Sequence, residues 1–162
     1  RIGFLLSLHS IVMCYAMSMK KSETGNSCVL SVKLYPGCYK HIQVDSNETF
    51  EELADQILRA FDFDNDHCYA FFLSGKAWDR NSLTLLSANA CESSSEHHVA
   101  DYLLSDYLPE KGKSILFLYD FGDKWRFSIR LLKKIDGPTY GCKMLLDKGD
   151  NPEQYPAYDE DL

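Results

Sequence analysis

The C-terminal half of the sequence contains a hairpin whose two arms have different patterns. Residues 114–119 are almost uninterrupted Ile, Leu and Phe, which is typical of a strand covered on both faces. After a turn at Gly122 and Asp123, apolar and polar residues alternate without a break over residues 125–131, which predicts a strand with one buried face. A strand that is apolar on both sides needs neighbours above and below it. The hairpin is therefore predicted to lie in the middle of a larger sheet.

Other patterns predict the rest of the sheet and one helix. Three further strands are predicted, at residues 28–34, 39–44 and 68–73. Thr49 and Glu52 form a capping box, in which each side chain satisfies a free backbone amide at a helix start. Apolar residues then recur at helical spacing over residues 50–61, with charged residues on the opposite side. This segment is predicted to be the main helix.

The remaining segments have weaker patterns. Residues 74–98 predict a long loop with one helical turn at residues 83–86. Residues 99–108 predict a short helix that Pro109 ends, and the chain beyond Pro138 is predicted to be rich in loops. Together these elements predict an α+β fold with a mixed, mostly antiparallel sheet, a β-β-α-β opening of β-grasp-like topology, one main helix packed on one face, and long loops.

The length of 162 residues predicts one folded domain with two extensions. We expect residues 1–26 to be an N-terminal extension that is either disordered or not part of the native protein, because Met19 starts a sequence typical of a soluble N-terminus. The apolar stretch at residues 2–19 is interrupted by polar side chains, so no membrane span is expected. Residues 27–158 are predicted to form the domain, and residues 159–162 a frayed acidic tail.

The composition limits the classes of partner. The six cysteines occur singly, without the Cys-x-x-Cys pairs of zinc or redox sites, which predicts reduced thiols and a cytoplasmic location. A net charge of −7 argues against general attraction to nucleic acid or to anionic lipid. We therefore expect an unknown protein or nucleic-acid partner, bound by a local surface, and no membrane. No small-molecule cofactor is implied, so the cofactor is unknown.

One acidic segment has the spacing of a calcium loop. Asp62, Asp64 and Asp66 match the first three ligand positions. The glycine expected at position six is His67, however, and the glutamate expected at position twelve is Leu73. A turn stabilised by Asp side chains is favoured over a metal site. Asp64, Asp66 and His67 stay as the metal candidates.

A second candidate site depends on folding. If the turn at Asp120 to Asp123 lies near His67, carboxylates and an imidazole gather there, together with Glu153. Such groups are suited to binding a hard metal ion or to general acid and base catalysis. His67, Asp120, Asp123 and Glu153 are thus the catalytic candidates. The alternative is a hydrogen-bonded network that fastens loops to the sheet.

Charge is distributed unevenly along the C-terminal half. Residues 111–134 contain seven basic and two acidic residues, whereas residues 145–162 contain six acidic residues and one basic residue. The simplest interpretation is that the two segments attract each other. The alternative is that the basic strand meets the phosphates of a nucleic acid, although Trp125 and Phe127 point to the buried side and cannot stack on bases. The candidate nucleic-acid-binding residues are Lys124, Arg126 and Arg130.

Several short segments occur together in a specific order. They are residues 49–53 (TFEEL), 60–67 (AFDFDNDH), 69–72 (YAFF), 118–125 (LYDFGDKW), 148–149 (KG) and 152–156 (PEQYP). In this combination the chain resembles the plasmid pRiA ORF-3-like domain family, whose members are often labelled as insertion-element passenger or resolvase-type proteins. The positions that carry the resemblance include Thr49, Glu52, Gly122, Trp125 and Pro152. The chain departs from the family at residues 39–41, which are Tyr-Lys-His where the family tends to have Trp-Arg-Arg.

The resemblance implies a compact α+β domain of bacterial or archaeal type, often carried on mobile elements, with no established reaction or cofactor. Serine recombination needs a nucleophilic serine within an arginine cluster, and the sequence has no such arrangement. We therefore expect a binding or accessory module that is not an enzyme. The alternative is a metal-assisted hydrolase or nuclease that uses the acidic and histidine candidates.

Overall fold

A computed structural model describes residues 26–157 and shows a seven-stranded sheet with one main helix. The strands are β1 (Asn26–Tyr35), β2 (Cys38–Asp45), β3 (Tyr69–Phe72), β4 (Thr84–Leu86), β5 (Ile115–Tyr119), β6 (Trp125–Asp136) and β7 (Lys143–Lys148). The helices are α1 (Phe50–Ala60) and α2 (Leu104–Tyr107), with 3₁₀ turns at Ala88–Ala90 and Val99–Asp101. Within residues 26–157, no helix combines the length and the apolar character needed to cross a membrane. The predicted acidic tail and all of the predicted N-terminal extension except Asn26 lie outside the described residues.

The strands follow the order β4-β3-β5-β6-β1-β2-β7, and all six pairings between them are antiparallel. This arrangement confirms an α+β fold with an antiparallel sheet and one main helix. The β-grasp-like ordering is not confirmed, because the strand after the helix, β3, pairs with β4 and β5 and not with β1. The predicted mixed sheet has no parallel pairing between its named strands.

The β5–β6 hairpin is the centre of the sheet, as the sequence predicts. Phe117 lies opposite Phe127 and Tyr119 lies opposite Trp125. All five residues of β5 are buried, which confirms a strand covered on both faces. β6 is longer than predicted, because it continues beside β1 to Asp136 across a bulge.

α1 begins with the predicted capping box. The Thr49 hydroxyl accepts a hydrogen bond from the Glu52 amide at 3.2 Å, and the Glu52 carboxylate accepts one from the Thr49 amide at 2.7 Å. Such a cap stabilises a helix by about 1 kcal/mol. The apolar side of α1 then packs against one face of the sheet, where Leu53 and Ile57 join Phe117 in the main core. The sequence therefore contained both the start of this helix and the side that it buries.

Two predicted helical segments have different structures. Residues 83–86, predicted as a helical turn, contain β4, because Leu85 fills the main core opposite Phe71. Residues 99–108, predicted as one helix, are interrupted because the Phe50 amide bonds the Tyr102 carbonyl and holds the chain extended there. In both places tertiary contacts override the local preference.

β7 is a strand in a region predicted to be loop-rich. Lys40 on β2 is fully buried, forms an ion pair with Asp147 of β7, and lies 4.8 Å from the centre of the Phe61 ring. A buried lysine needs a charged partner, and β7 supplies it. The side chains of β7 are all exposed and do not alternate between apolar and polar, so the sequence pattern did not predict this pairing.

The sheet has two different faces. α1 and the main core cover one face, and we call the opposite side the open face. On the open face Ala70, Phe72, Leu116 and Leu118 form a small buried cluster, against which Ala77 of the 74–83 loop, Leu86 of β4 and Phe121 pack. Beside this cluster, β1 and β6 present Ser31, Lys33, Arg126, Ser128 and Arg130. The five cysteines among residues 26–157 are free thiols, of which Cys28 and Cys38 are buried.

Candidate functional site

Acidic, tyrosine and histidine side chains meet where β3 begins and β5 ends. We call Asp66, His67, Tyr119, Asp120, Gln154 and Tyr155 the acidic–tyrosine cluster. The His67 Nε2 atom lies 3.7 Å from Asp66 Oδ1 and 3.6 Å from Asp120 Oδ2. Two carboxylates therefore face one imidazole, at distances longer than a hydrogen bond.

Asp66 is held by tyrosine hydroxyls. Tyr155 donates to the two carboxylate oxygens of Asp66 at 2.7 Å each, and Tyr119 lies at 2.9 Å from Oδ1. The hydrogen bond from Tyr155, followed by the one from Tyr119, lowers the pKa of Asp66 below its ordinary value. Desolvation and the same carboxylate raise the pKa of Tyr155. Each partner thus favours the charged Asp66 and the neutral tyrosine.

The Tyr119 hydroxyl connects three segments of the chain. It accepts hydrogen bonds from the backbone amides of Asp66 at 2.9 Å and His67 at 3.2 Å. Its one proton can go to the Asp64 carbonyl at 2.5 Å or to the Asp66 carboxylate. Gln154 completes the connection, because it accepts from the Asp64 amide at 2.6 Å and donates to the Asp64 carbonyl at 3.1 Å. The C-terminal segment is in this way fastened to the loop before β3.

Asp120 is committed to its own turn. Its Oδ1 atom accepts hydrogen bonds from the amides of Gly122 at 2.8 Å and Asp123 at 3.3 Å. A Cβ atom at Gly122 would lie 3.2 Å from this oxygen, so the turn leaves little room for a side chain there. Asp120 and Lys124 both have a positive φ of 58°, and the Lys124 amide closes the turn on the Asp120 carbonyl at 2.7 Å.

The catalytic and metal candidates are brought together only in part. The structure gathers Asp66, His67 and Asp120, whereas Asp64 and Asp123 contribute backbone atoms. Glu153 is exposed and makes no hydrogen bond or ion pair with another residue of the 26–157 range. In the described part of the chain, no group of three or more His, Cys, Asp or Glu side chains is arranged to hold a metal ion. Catalytic or metal-binding roles for these residues stay predictions.

Basic side chains form a second group on the open face. We call the surface formed by Ser31, Lys33, Tyr35, Arg126, Ser128 and Arg130 the basic groove, and its volume is about 340 Å³. Lys33 of β1 lies opposite Ser128 of β6, and Ser31 lies opposite Arg130. Diagonal neighbours across an antiparallel pair lie roughly 7–8 Å apart, so Lys33 stands between Arg126 and Arg130. The three cations form a zigzag along the groove.

The cations of the basic groove lack acidic partners within the protein that the structure describes. Between residues 26 and 157, no carboxylate lies within 4.0 Å of Lys33, Arg126 or Arg130. Residues 145–157 thus form no ion pair with the basic residues of 111–134, and the predicted attraction between the two segments stays a prediction. Asp147, in that segment, pairs with the buried Lys40 and not with β6.

The two arginines point away from the main core, as the alternation over residues 125–131 predicts. Lys124 lies in the turn before β6 and does not line the groove. Lys33 was not among the predicted residues, although its polar position in the alternation of β1 was a usable signal. No local pattern in the sequence predicts that β1 lies beside β6.

Trp78, which was not among the predicted residues either, lies on the same face. Trp78 is 59% exposed and has a φ of +60°, which is unusual for a bulky residue. Its ring makes edge-to-face contacts with Phe72 at 5.0 Å and with Phe121 at 5.5 Å between ring centres. Trp78 also borders a cleft of about 550 Å³ beside β4. The other tryptophan, Trp125, packs against Phe63 of the main core.

Comparisons with known proteins agree with this fold. A family model described as plasmid pRiA4b ORF-3-like protein matches residues 29–154. Among solved structures, the chain is similar to the crystal structure of a protein of unknown function, MM3350, from Methanosarcina mazei Go1. The two chains are 25% identical with a TM-score of 0.62, and the match covers 80% of this chain and 72% of the other. A comparison with curated proteins gave no significant match. Because the family model spans most of the sequence, the chain belongs to the plasmid pRiA4b ORF-3-like family, as the resemblance of its motifs predicted.

Proposed function

We infer that the protein is a binding module without a reaction of its own and that it holds an anionic partner in the basic groove. The observation that carries this proposal is the zigzag of Lys33, Arg126 and Arg130 on the open face, with no carboxylate within 4.0 Å among residues 26–157. Neighbouring like charges repel one another across a sheet. A bound anion removes that repulsion, so the groove is better suited to a complex than to the free protein.

The side chains of the groove fit oxyanions. A guanidinium presents a planar set of donors that matches the geometry of carboxylate and phosphate groups, and it stays charged at any physiological pH. Arg126 and Arg130 supply two such groups, and Ser31 and Ser128 line the groove beside the cations as further donors. A ligand with several negative groups in a row can meet all three cations.

The net charge of −7 belongs to the whole chain and does not exclude a local basic surface. Exposed ion pairs are screened by salt over about 10 Å at 0.1 M. Binding in the basic groove is therefore expected to be strong at low ionic strength and to weaken steeply as salt is added.

The proposal is tested by calorimetric titration with linear inorganic polyphosphate at two salt concentrations. The Arg126→Ala/Arg130→Ala variant should bind roughly a hundredfold more weakly or worse, because each of the two lost charge-assisted hydrogen bonds contributes about 1.5–3 kcal/mol. The matched control is Arg59→Ala/Lys134→Ala, which also removes two positive charges. Arg59 lies in the last turn of α1, and Lys134 of β6 lies opposite Cys28, so neither residue lines the groove. Equal affinity of both variants, or no binding of polyphosphate by the wild type, would contradict the proposal.

The alternative, a metal-assisted hydrolase or nuclease, has less support. Asp66 already accepts hydrogen bonds from Tyr155, Tyr119 and Gln154, which fits a fastening role. The observation in favour of a hydrolase or nuclease is that His67 approaches two carboxylates, at 3.6 and 3.7 Å.

The setting of the module is part of the same proposal. The family name refers to a plasmid, which supports an association with mobile genetic elements. The free thiols among residues 26–157 are in keeping with a reducing compartment such as the cytoplasm.

A further inference from the structure

We propose that the partner is single-stranded nucleic acid, whose phosphates lie in the basic groove while one base stacks on Trp78. This inference rests on the proposed function and names the class of ligand. A groove of cations alone fits any polyanion. The exposed indole on the same face favours a polyanion that also carries planar rings.

Trp78 stands in a position that folding by itself does not favour. A bulky residue at a φ of +60° carries about 1–3 kcal/mol of backbone strain. More than half of its surface is exposed, at 59%, so the ring contributes little to the core. The edge-to-face contacts with Phe72 and Phe121 hold the ring in one orientation. A strained, exposed and held aromatic ring is ready to contact a ligand.

The indole and the groove belong to one continuous surface. Phe72, on which Trp78 packs, lies opposite Leu116 of β5, which in turn lies opposite Ser128 of β6. Leu116 belongs to the small buried cluster and also lines the basic groove. Neighbouring strands are about 4.8 Å apart, so Phe72 and Ser128 are separated by roughly 10 Å. Of the three groove cations, Arg126 is paired directly with the small cluster, because it lies opposite Leu118.

This combination matches the chemistry of single strands. Proteins that bind single-stranded nucleic acid combine a basic groove along the backbone with aromatic rings on which bases stack. A duplex hides the base faces inside its stack, and an acidic protein segment has no planar ring that requires an exposed indole. The three cations of the groove would meet successive phosphates, and Trp78 would hold a base beside the row.

The experiment is fluorescence anisotropy of labelled oligothymidine and oligouridine of about ten nucleotides with the full chain. Trp78→Ala should weaken binding by about 10-fold, while the slope of log K against log salt stays unchanged, because stacking releases no counterions. Arg126→Ala/Arg130→Ala should instead reduce that slope by about 1.4, or 0.7 for each lost phosphate contact. Trp78→Phe, which keeps a stacking ring, should retain most of the affinity. The DNA and RNA arms show which sugar the module prefers.

The two proposals fail in different ways. If Trp78→Ala binds the oligonucleotides as tightly as the wild type, or if poly-glutamate binds more tightly than they do, this inference is overturned and the basic groove survives. If the double arginine variant binds both polyphosphate and oligonucleotide normally, the proposed function itself falls. Quenching of tryptophan emission by the oligonucleotide, expected in the wild type and absent in Trp78→Phe, gives a readout even where Trp78→Ala does not fold. Wild-type emission that does not change on binding contradicts stacking.

Discussion

The acidic–tyrosine cluster and the basic groove are both rich in charge, yet their charges are satisfied differently. In the cluster, Asp66 accepts hydrogen bonds from Tyr119, Gln154 and Tyr155, so its charge is met inside the protein. In the groove, Lys33 and the two arginines have no carboxylate within 4.0 Å in the described part of the chain. The comparison teaches that a cluster of titratable residues can be structural, whereas a row of unmatched charges requires something else to meet it.

The largest expected effect is on the stability of the cluster. Tyr119→Phe removes the hydroxyl that accepts from the amides of Asp66 and His67, and we expect the free energy of unfolding to fall by about 1–2 kcal/mol. Urea denaturation measures this change. Tyr107→Phe, in α2, is the control and should change stability little, because the Tyr107 ring is partly exposed. An unchanged stability of Tyr119→Phe would mean that the cluster does not fasten the C-terminal segment.

The second prediction concerns pH. The tyrosine hydrogen bonds lower the pKa of folded Asp66, so its contribution to stability is complete above the ordinary aspartate pKa of about 4 and is lost as the pH falls through the folded value. The wild type should therefore lose stability on acidification more steeply than Asp66→Asn, and the two curves should converge at low pH. Asp136→Asn, at the exposed end of β6, controls for the loss of one carboxyl group. Parallel curves of stability against pH for the wild type and Asp66→Asn would show that the hydrogen bonds of Asp66 do not stabilise the fold.

A smaller effect tests whether Lys33 belongs to the groove. Lys33→Ala should weaken polyanion binding several-fold and lower the salt slope by about 0.7, since one phosphate contact is lost. The free energy of unfolding should stay within about 0.5 kcal/mol, because Lys33 is exposed. Anisotropy titrations and urea denaturation give the two values. Lys111→Ala, in the exposed loop before β5, should alter neither. A salt slope for Lys33→Ala equal to that of the wild type would show that Lys33 of β1 does not contact the bound polyanion.

The smallest expected effect is that of metal ions on the cluster. Manganese, magnesium or zinc should leave the melting temperature unchanged, since the Asp66 carboxylate is already occupied by hydroxyl donors and Oδ1 of Asp120 by backbone amides. A thermal shift assay is sufficient. A rise that disappears in Asp120→Asn and in His67→Ala would favour the metal-assisted hydrolase and would make the cluster the functional site.

Much of the fold could be predicted from local patterns. The capping box at Thr49, the buried strand β5 and the alternation of β6 each follow from a period that neighbouring residues share. β4 and β7 could not be predicted, because a three-residue strand and a strand with only exposed side chains show no period. Both are strands because of their partners, β3 and β2.

The candidate sites could be predicted only where one segment contained them. Arg126 and Arg130 share a strand, so their common direction was readable, whereas Lys33 is almost a hundred residues away in sequence and was missed. His67 and Asp120 were predicted to meet if the turn came close, and they do. Tyr155 was not predicted as their neighbour, because the sequence pattern of a loop-rich C-terminal segment does not show which part of the sheet that segment contacts.

The sequence by itself determined which side of each regular element is apolar, because side chains repeat every 2 residues in a strand and every 3.6 in a helix. That is why the arginines of β6 point away from α1. Only the tertiary structure decided that β1 lies beside β6 and that the C-terminal segment crosses the start of β3. The physical reason is that pairing between distant strands depends on how all apolar faces pack together at once, and no local period records that choice.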